Sequence, residues 1–272
     1  MLEVPIWRVT YLMNKWLLIK DGFNNGFYNM AADEELLSFN QPVLRIYGFK
    51  PYCLSLGYFM NANEDIDFDF CQNNNIDVTR RITGGKAVLH ANELTYCVVV
   101  PLGSFSKSIM GVYEKISNAL KNIFEKIGIE VENSTDYKRL DKNAICFAEK
   151  SKYEITSKGK KIIGFAQKKY SDKILHHGSI PFSIDFKILS GCFKGNKVEN
   201  EAFIRERVTS INNELPNNID YKEFSEFFIK GFEETLDIDF TEYKYTPIQK
   251  ENILKKARSK YVLPCWVKNK IK

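Results

Sequence analysis

The sequence has no close pair of cysteines. Its six cysteines are spread along 272 residues, and the nearest two, Cys53 and Cys71, stand 18 residues apart. Metal clips and redox motifs place two cysteines within a few residues of each other, so this spacing excludes both. We therefore predict that most of the cysteines are free thiols, which favours a reducing cytoplasm.

Long apolar runs are also absent. The longest, such as residues 94–102, are far shorter than the roughly 20 residues that a membrane-spanning helix needs. The apolar stretch within residues 1–20 is interrupted by charges and followed by no small-residue cleavage site, so we expect neither a transmembrane helix nor a signal peptide. Met13 offers a second start, which makes residues 1–12 a candidate N-terminal extension.

A large excess of charge of one sign is missing as well. The chain has 39 Lys and Arg against 34 Asp and Glu, and a net charge of +5 does not require a nucleic-acid partner. The surplus is local, because residues 250–272 contain eight Lys or Arg and one Glu, a charge of +7 that leaves −2 for the rest. We expect any basic docking surface for an acidic protein at this end.

The composition, with 44% hydrophobic and 27% charged residues, is typical of a globular protein with a full-sized core. Hydrophobic periodicity predicts an α+β fold. Strand-like runs occupy residues 43–47, 52–59, 76–82, 86–90 and 93–100, and an antiparallel meander with turns at SKGK and SDK begins at residue 153. Predicted helices cover residues 28–39 with Asn29 as cap, a segment ending at Gly128, a face with Phe224, Phe227, Phe228 and Phe232, and residues 249–261 before a tail.

The densest motif is RRITGGKAVLH, residues 80–90. Its simplest interpretation is a Gly-Gly β-hairpin with exposed arginines. Adjacent glycines also let a backbone approach an acyl chain or a nucleotide without side-chain obstruction. Because the spacing matches neither G-x-G-x-x-G nor G-x-x-x-x-G-K-[ST], the motif excludes the dinucleotide and Walker-type phosphate sites.

Extended to RRITGGKAVLHANELTYCVVV, this region resembles the signature of the lipoate-protein ligase, octanoyltransferase and biotin-protein ligase superfamily. The resemblance continues in order through YNMAADEELL, LRIYGFKPYCLSLGYF, KIIGFAQKK and LHHGSIPF. It implies a mixed, largely antiparallel sheet flanked by helices, similar to class II tRNA synthetases and biotin synthetases. It further implies a catalytic domain over residues 13–240 and a basic C-terminal appendage over residues 241–272.

The segment NAICFAEKSKYEITSKGKKIIG, residues 143–164, bears on which chemistry of the superfamily applies. ATP-dependent lipoate ligases usually carry an Asn-Asp pair before this strand, and this chain has none. Cys146 shortly before Tyr153 resembles instead the cysteine-dependent octanoyl-[acyl carrier protein]:protein N-octanoyltransferases of the Bacillus type. The resemblance implies that Cys146 is the catalytic nucleophile and that Lys161 supports it. A nearby cation would lower a thiol pKa below its free value of roughly 8.5, and a thiolate is the competent nucleophile for thioester exchange.

The resemblance also implies a pocket for the acyl group and the carrier arm. Its candidate residues are Arg80, Thr83, Gly84, Gly85, His90, Gly164, Ala166, His177 and Gly178. His90 is a candidate acid or base and equally a candidate structural residue. His176 and His177 alternate along one strand and so face opposite sides, which excludes a metal pair. We expect no metal and no cofactor.

Two positions depart from the pattern of the superfamily. Many relatives have Asp after His90, where this chain has Ala91, and either Asn92 or Glu93 could replace that carboxylate. Lys86 stands where ligases often have a third glycine, and its bulk narrows the room for a nucleotide. Lys86 therefore favours a transferase over a ligase.

Together these features predict an acyltransferase of lipoate biosynthesis that carries out protein modification by octanoylation. Octanoyl would pass from acyl carrier protein through a thioester intermediate on Cys146 to a lysine of a lipoyl domain. The resemblance implies that this lipoyl domain is the glycine-cleavage H protein, as in the resembled group. An ATP-dependent lipoate-protein ligase, an amidotransferase that moves octanoyl or lipoyl between lipoyl domains, and a non-catalytic acyl-binding subunit remain alternatives. We expect a cytoplasmic monomer without nucleic-acid or membrane partners.

Overall fold

The computed structural model describes residues 14–106, 108–133 and 154–268. These residues contain twelve strands: β1 (Lys15–Asn24), β2 (Val43–Phe49), β3 (Cys53–Leu56), β4 (Asp77–Arg80), β5 (Val88–His90), β6 (Glu93–Pro101), β7 (Glu132–Asn133), β8 (Ile155–Ser157), β9 (Lys160–Lys161), β10 (Gly164–Lys169), β11 (Lys173–Pro181) and β12 (Asp239–Glu242). They also contain ten α-helices: α1 (Gly26–Glu35), α2 (Ala62–Asp65), α3 (Phe68–Asn73), α4 (Ile109–Lys126), α5 (Phe186–Gly191), α6 (Lys197–Arg207), α7 (Ile211–Glu214), α8 (Tyr221–Leu236), α9 (Pro247–Lys256) and α10 (Pro264–Lys268). A 3₁₀ turn (Leu36–Ser38) follows α1, and a π-helical turn (Ala257–Tyr261) follows α9.

The centre of the fold is a six-stranded sheet in the order β10-β11-β6-β2-β1-β12. The pairs β10–β11, β11–β6 and β6–β2 are antiparallel, whereas β2–β1 and β1–β12 are parallel. Every residue of β11 is buried, because helices cover both faces of this sheet. The predicted α+β class with a mixed, largely antiparallel sheet is therefore confirmed.

One face of this sheet packs against α4 and α8. On α4, Ile116, Leu120 and Ile123 follow one another at helical spacing and are fully or almost fully buried. The helix ends where Gly128 adopts a φ of +87°, a conformation that favours glycine. The predicted helix and its end are confirmed. On α8, Phe224, Phe228 and Phe232 enter the same core, but Phe227 is 41% exposed, so its placement on that face was wrong.

The other face packs against α1 and the C-terminal helices. Tyr245, Ile253 and Tyr261 are buried in one cluster with residues of α1. The end of the chain is thus joined to the main sheet by packing, and also by β12, which pairs with β1. The tail predicted after residue 261 is wrong in part, because α10 continues the helical structure to Lys268.

A second sheet, in the order β4-β3-β5, presents the glycine motif. Strand β3 is parallel to β4 and antiparallel to β5, so the chain crosses β3 between the two halves of the motif. A Gly-Gly β-hairpin is therefore wrong, because the strands flanking it do not pair with each other. The arginines of the motif are not exposed either, since Arg80 is fully buried and Arg81 is 5% exposed.

Two further expectations are corrected. The stretch between the predicted SKGK and SDK turns, residues 161–170, is expected to form one strand of the meander. It is divided instead, because β9 belongs to a small third sheet, β7-β8-β9, while β10 lies in the main sheet. The cap of α1 is Asn25, whose side chain accepts a hydrogen bond from the backbone of Tyr28. Asn29 instead lies inside the helix and is buried.

The five cysteines within the described residues are free, as expected, and only Cys265 among them is exposed. In the same part of the chain, no helix combines the length and the apolar composition needed to cross a membrane.

Candidate active site

A pocket of about 510 Å³ lies between the glycine loop and the edge of the main sheet formed by β10 and β11. A largely apolar lining with a few polar side chains, as this pocket has, is typical of small-molecule sites. Its apolar wall includes Met30, Val88 and Phe165. The described residues that line it are Met30, Tyr47, Ser55, Arg81, Gly85, Val88, His90, Thr95, Lys161, Gly164, Phe165, Ala166, His177, Gly178 and Ser179.

Lys161 reaches this pocket from β9. Its Nζ lies 2.7 Å from Oε1 of Glu154, and each of the two residues is about one-twentieth exposed. Its backbone carbonyl accepts a hydrogen bond from the amide of Thr209 at 2.9 Å. A buried ion pair and a fixed backbone hold the lysine in one direction, so the site places a rigid cation in the pocket wall.

His90, which also lines the pocket, belongs to a chain of hydrogen bonds. Its Nδ1 lies 2.6 Å from Oε1 of Glu93, and its Nε2 lies 2.8 Å from the hydroxyl of Ser55. Because a carboxylate accepts, Nδ1–H donates, and in the neutral imidazole Nε2 accepts from the hydroxyl. That hydroxyl in turn accepts from Arg81. The ring also stacks on Phe49 with centroids 4.2 Å apart.

The structure assigns the carboxylate near His90 to Glu93. Asn92 is exposed, and its side-chain amide donates to Ser183 instead. Many relatives have an aspartate where this chain has Ala91, and Asn92 and Glu93 are its two candidate replacements. Of these two, only Glu93 contacts His90.

His177 is held at the far side of the pocket by a buried network. Its Nδ1 lies 3.1 Å from Asp33, and its Nε2 lies 2.7 Å from the hydroxyl of Thr83. Burial lowers the pKa of His177 against the opposing effect of the Asp33 carboxylate. Burial also opposes ionisation of Asp33, but hydrogen bonds from His177 and Tyr47 and the charge of Arg45 outweigh it and lower the pKa of Asp33. His177 is therefore neutral, with its proton on Nδ1.

Asp33, Cys97 and His177 bring possible metal ligands within 4.8 Å of one another. The carboxylate of Asp33 is already occupied, because Arg45 pairs with one oxygen at 2.7 Å and Tyr47 donates to the other at 2.8 Å. Burial and the Asp33 charge also raise the pKa of the Cys97 thiol well above its ordinary value. A protonated thiol and a carboxylate paired with arginine are poor metal ligands, so the cluster fits a hydrogen-bonded core.

Arg81 and Gly57 fix the conformation of the glycine loop. The Arg81 guanidinium donates to the carbonyls of Gly84 and Lys86, at 2.8 and 2.6 Å. Gly85 has a φ of +92°, and its carbonyl oxygen lies so close to Gly57 that a Cβ on Gly57 would be 1.7 Å away. The loop is therefore held against β3, with its backbone open to the pocket.

The structure brings seven of the residues predicted for the site to the pocket wall: Gly85, His90, Lys161, Gly164, Ala166, His177 and Gly178. Thr83 lies behind the wall and contacts His177, and Gly84 accepts from Arg81. Arg80 lies away from the pocket and donates to carbonyls of Trp266 and Val267. Cys146 lies outside the described residues.

Sequence reasoning missed three groups that matter for the site. Glu154 pairs with Lys161, Asp33 orients His177, and Ser179 donates to Glu93. Asp33 sits inside an amphipathic segment, and Ser179 inside a fully buried strand. A charged or polar residue in a segment expected to be buried indicates a hydrogen-bond partner nearby, because buried polar groups need partners. This pattern could have identified Asp33 and Ser179. The expectation that His176 and His177 face opposite sides is confirmed, since His176 contacts Tyr96 in the helix-covered core.

The protein has a mixed sheet covered by helices and a small-molecule pocket between the edge of that sheet and a glycine loop. These features are those of an α+β catalytic domain. The chain belongs to the family of the lipoyl protein ligase A/B catalytic domain, whose model matches residues 25–233.

Relatives over the full length carry a narrower name. Octanoyltransferase LipM of Clostridioides difficile strain 630 is 36% identical over 265 residues, covering 92% of this chain and 97% of the relative. Octanoyltransferase LipM of Carboxydothermus hydrogenoformans is 35% identical over 266 residues, covering 94% and 99%. Among solved structures, the bi-partite lipoate protein ligase of Thermoplasma acidophilum has a TM-score of 0.79 at 25% identity, covering 96% of this chain and 98% of its own.

Proposed function

We propose that this chain is an octanoyltransferase of lipoate biosynthesis that uses Cys146 as its nucleophile and Lys161 as its supporting cation. Full-length similarity to octanoyltransferases LipM supports the activity. The observation that supports the residue assignment is the position of Lys161, a buried cation in the wall of a pocket with a largely apolar lining.

The first step is thioester exchange. The Cys146 thiolate attacks the carbonyl carbon of the octanoyl thioester, the thiolate of the donor's carrier arm leaves, and that thiolate takes up a proton. The Lys161 ammonium favours the Cys146 thiolate and stabilises the oxyanion of the tetrahedral intermediate. Its ion pair with Glu154 keeps the ammonium in place, so little reorganisation is needed during the reaction.

Chain length permits this assignment. Cys146 precedes Glu154 by eight residues, and an extended chain of that length spans up to about 28 Å. Because Glu154 contacts Lys161 directly, a segment of this length is compatible with the proposed attack of Cys146 on an acyl group in the pocket.

The second step forms the amide. A neutral lysine amine of the acceptor attacks the carbonyl carbon of the enzyme thioester, the Cys146 thiolate leaves, and this thiolate takes up the proton that the nitrogen loses. Gly85, Gly164 and Gly178 line the pocket, and we extend the substrate-binding role to Ala166, His90 and His177, which line it as well. We propose that Thr83 and Gly84 support this pocket through their contacts with His177 and Arg81. Arg80 holds the end of β4, the strand that leads into the glycine loop.

The donor is octanoyl-acyl carrier protein, and the acceptor is a lipoyl domain such as the glycine-cleavage H protein. The basic residues of the C-terminal segment steer these acidic proteins. Lys256 and Lys260 pair with Glu35 and Glu34 of α1, so the steering charge rests on the other cations of the segment.

Mass spectrometry tests the proposal. Mixing the enzyme with octanoyl-acyl carrier protein in the absence of ATP is expected to add one octanoyl group to Cys146. Cys146→Ala abolishes the addition, whereas Cys265→Ala, at an exposed free cysteine, keeps it. Full transfer by Cys146→Ala would contradict the mechanism.

The same experiment separates the alternatives. An ATP-dependent lipoate-protein ligase would require ATP and free lipoate and would keep its activity in Cys146→Ala. An amidotransferase would load Cys146 from octanoylated H protein and not from acyl carrier protein. A non-catalytic subunit would bind the octanoyl donor without turnover.

A further inference from the structure

A second cavity of about 400 Å³ adjoins the acyl pocket at Ser179, which lines both. Its inner end is formed by Glu93 and Ser179, both 3% exposed. Its outer end is formed by Asn92, Ser183 and Asp185, which are exposed. The cavity therefore leads from the protein surface to the hydrogen-bonded group that holds His90.

The two cavities lie end to end along β11. His177, Ser179 and Pro181 lie on the same side of this strand, because side chains alternate. His177 lines the acyl pocket, Pro181 lines the second cavity, and Ser179 stands between them. At about 3.3 Å per residue, these positions span roughly 13 Å. Ser179 is also the register partner of Gly164, which lines the acyl pocket near Lys161, so the junction lies at the Lys161 end.

The polar lining of the second cavity is acidic. Glu93 lies at its inner end and Asp185 at its mouth, and among the described residues that line it there is neither Lys nor Arg. Leu89, Pro181 and Leu189 supply apolar wall between these carboxylates. An apolar wall fits a slender apolar stem, and the carboxylates fit a cationic head. A lysine side chain has both parts.

We propose that the second cavity is the subsite through which the lysine side chain of the acceptor protein reaches the acyl thioester. This inference rests on the proposed function, because it places the amine of the second half-reaction. Asp185 attracts the ammonium at the mouth, and the apolar wall receives the methylene stem. The amine then arrives at the Ser179 junction, beside the end of the acyl pocket that holds Lys161.

The charge of the cavity distinguishes this occupant from the carrier arm of the donor. That arm is attached to its carrier protein through a phosphate group, which would lie at the mouth of the cavity, where the Asp185 carboxylate would repel it. The negative charge of the cavity attracts the ammonium of the acceptor and repels the phosphate of the donor. A charge introduced in the cavity would therefore change the binding of an acceptor lysine and of a donor arm in opposite directions.

Ala91 is the position at which to introduce that charge, because it is half-buried and lines the cavity. Each half-reaction is followed on its own: loading of Cys146 from octanoyl-acyl carrier protein, then transfer from isolated octanoyl-enzyme to a lipoyl domain. Ala91→Lys is expected to raise the half-saturating acceptor concentration about tenfold, and Ala91→Asp to lower it about threefold.

Asp185→Asn provides a second, milder change. Asparagine keeps the cap of α5, where Asp185 accepts from the amides of Lys187 and Ile188, and removes only the charge. The half-saturating acceptor concentration is expected to rise about threefold. Glu226→Gln, an exposed residue of α8, changes the net charge equally and is expected to leave both half-reactions unchanged.

The outcomes are distinct. If Ala91→Lys accelerates loading and does not weaken transfer, the cavity receives the donor's arm and the inference is wrong. If the three cavity variants, Ala91→Lys, Ala91→Asp and Asp185→Asn, all transfer as the unaltered enzyme does, the cavity is not used, which also overturns the inference. If the unaltered enzyme acquires no octanoyl group on Cys146, the proposed function fails first, and the subsite falls with it.

Discussion

The Nδ1 atom of His90 lies 2.6 Å from the carboxylate of Glu93, and both side chains are buried. The same carboxylate accepts from the hydroxyls of Thr95 and Ser179. Glu93 thus joins β5, β6 and β11 at the point where the two cavities meet, and it sets the direction of the imidazole in the acyl pocket.

Glu93→Gln tests this relationship, because glutamine keeps the shape and removes the charge. Three donors converge on the carboxylate, and an amide cannot accept from all of them. We expect the free energy of unfolding to fall by about 1–3 kcal/mol and octanoyl transfer to slow by about tenfold or more. Urea unfolding and single-turnover transfer measure the two effects. Unchanged transfer with lower stability would limit Glu93 to a structural role.

The sequence was sufficient to predict the fold class and four of the six strands of the main sheet, because alternating and helical periodicities report burial on one face. It did not predict β1 or β12. It did not show that the chain crosses β3 between Arg80 and Val88, since partner choice in a sheet depends on contacts distant in sequence. The motif RRITGGKAVLH marked a loop that borders the pocket. The sequence did not show that Arg80 holds the C-terminal end of the chain, because the carbonyls of Trp266 and Val267 that it binds lie more than 180 residues further along the chain.

Gly57→Ala is expected to disturb the glycine loop, whereas Gly84→Ala is not. An added Cβ on Gly57 would lie 1.7 Å from the carbonyl oxygen of Gly85, and this neighbour is backbone that cannot rotate away. A Cβ on Gly84 meets nothing within 4 Å. We expect Gly57→Ala to cost about 1–3 kcal/mol of stability and Gly84→Ala well under 1 kcal/mol, as measured by urea unfolding. Equal losses would show that the close approach is not maintained in solution.

Arg80→Lys is expected to loosen the C-terminal end of the chain. The Arg80 guanidinium donates to the carbonyls of Trp266 and Val267 and also to those of Gly57, Tyr58 and Met60. Lysine has one point charge and no planar fork, so several buried carbonyls would lose their donor.

We expect a loss of about 3 kcal/mol or more on urea unfolding for Arg80→Lys, with faster amide hydrogen exchange over residues 261–268. Arg258→Lys, at an exposed arginine of the same segment, is the matched control and is expected to leave both measurements unchanged. Equal exchange in the two variants would contradict the role assigned to Arg80.

His176 makes stability depend on pH. Burial, with a smaller effect of neighbouring His177, lowers the pKa of His176 from 6.5 to about 3. The unfolded chain therefore binds a proton at His176 below about pH 6.5, while the folded protein does not until about pH 3, so stability falls as the pH is lowered through this window. The slope from this one group is about 1.4 kcal/mol per pH unit.

His176→Gln removes the titrating group and keeps a side chain that can hydrogen-bond to the Tyr96 hydroxyl, the partner that His176 contacts at 2.8 Å. We expect the variant to be less stable near neutral pH, because the packing of the imidazole between Tyr96 and Phe165 is lost. Its free energy of unfolding should nevertheless fall less steeply than that of the unaltered protein between about pH 6.5 and pH 5. Urea unfolding at several pH values gives both slopes, and parallel slopes would show that His176 takes up a proton in the folded state.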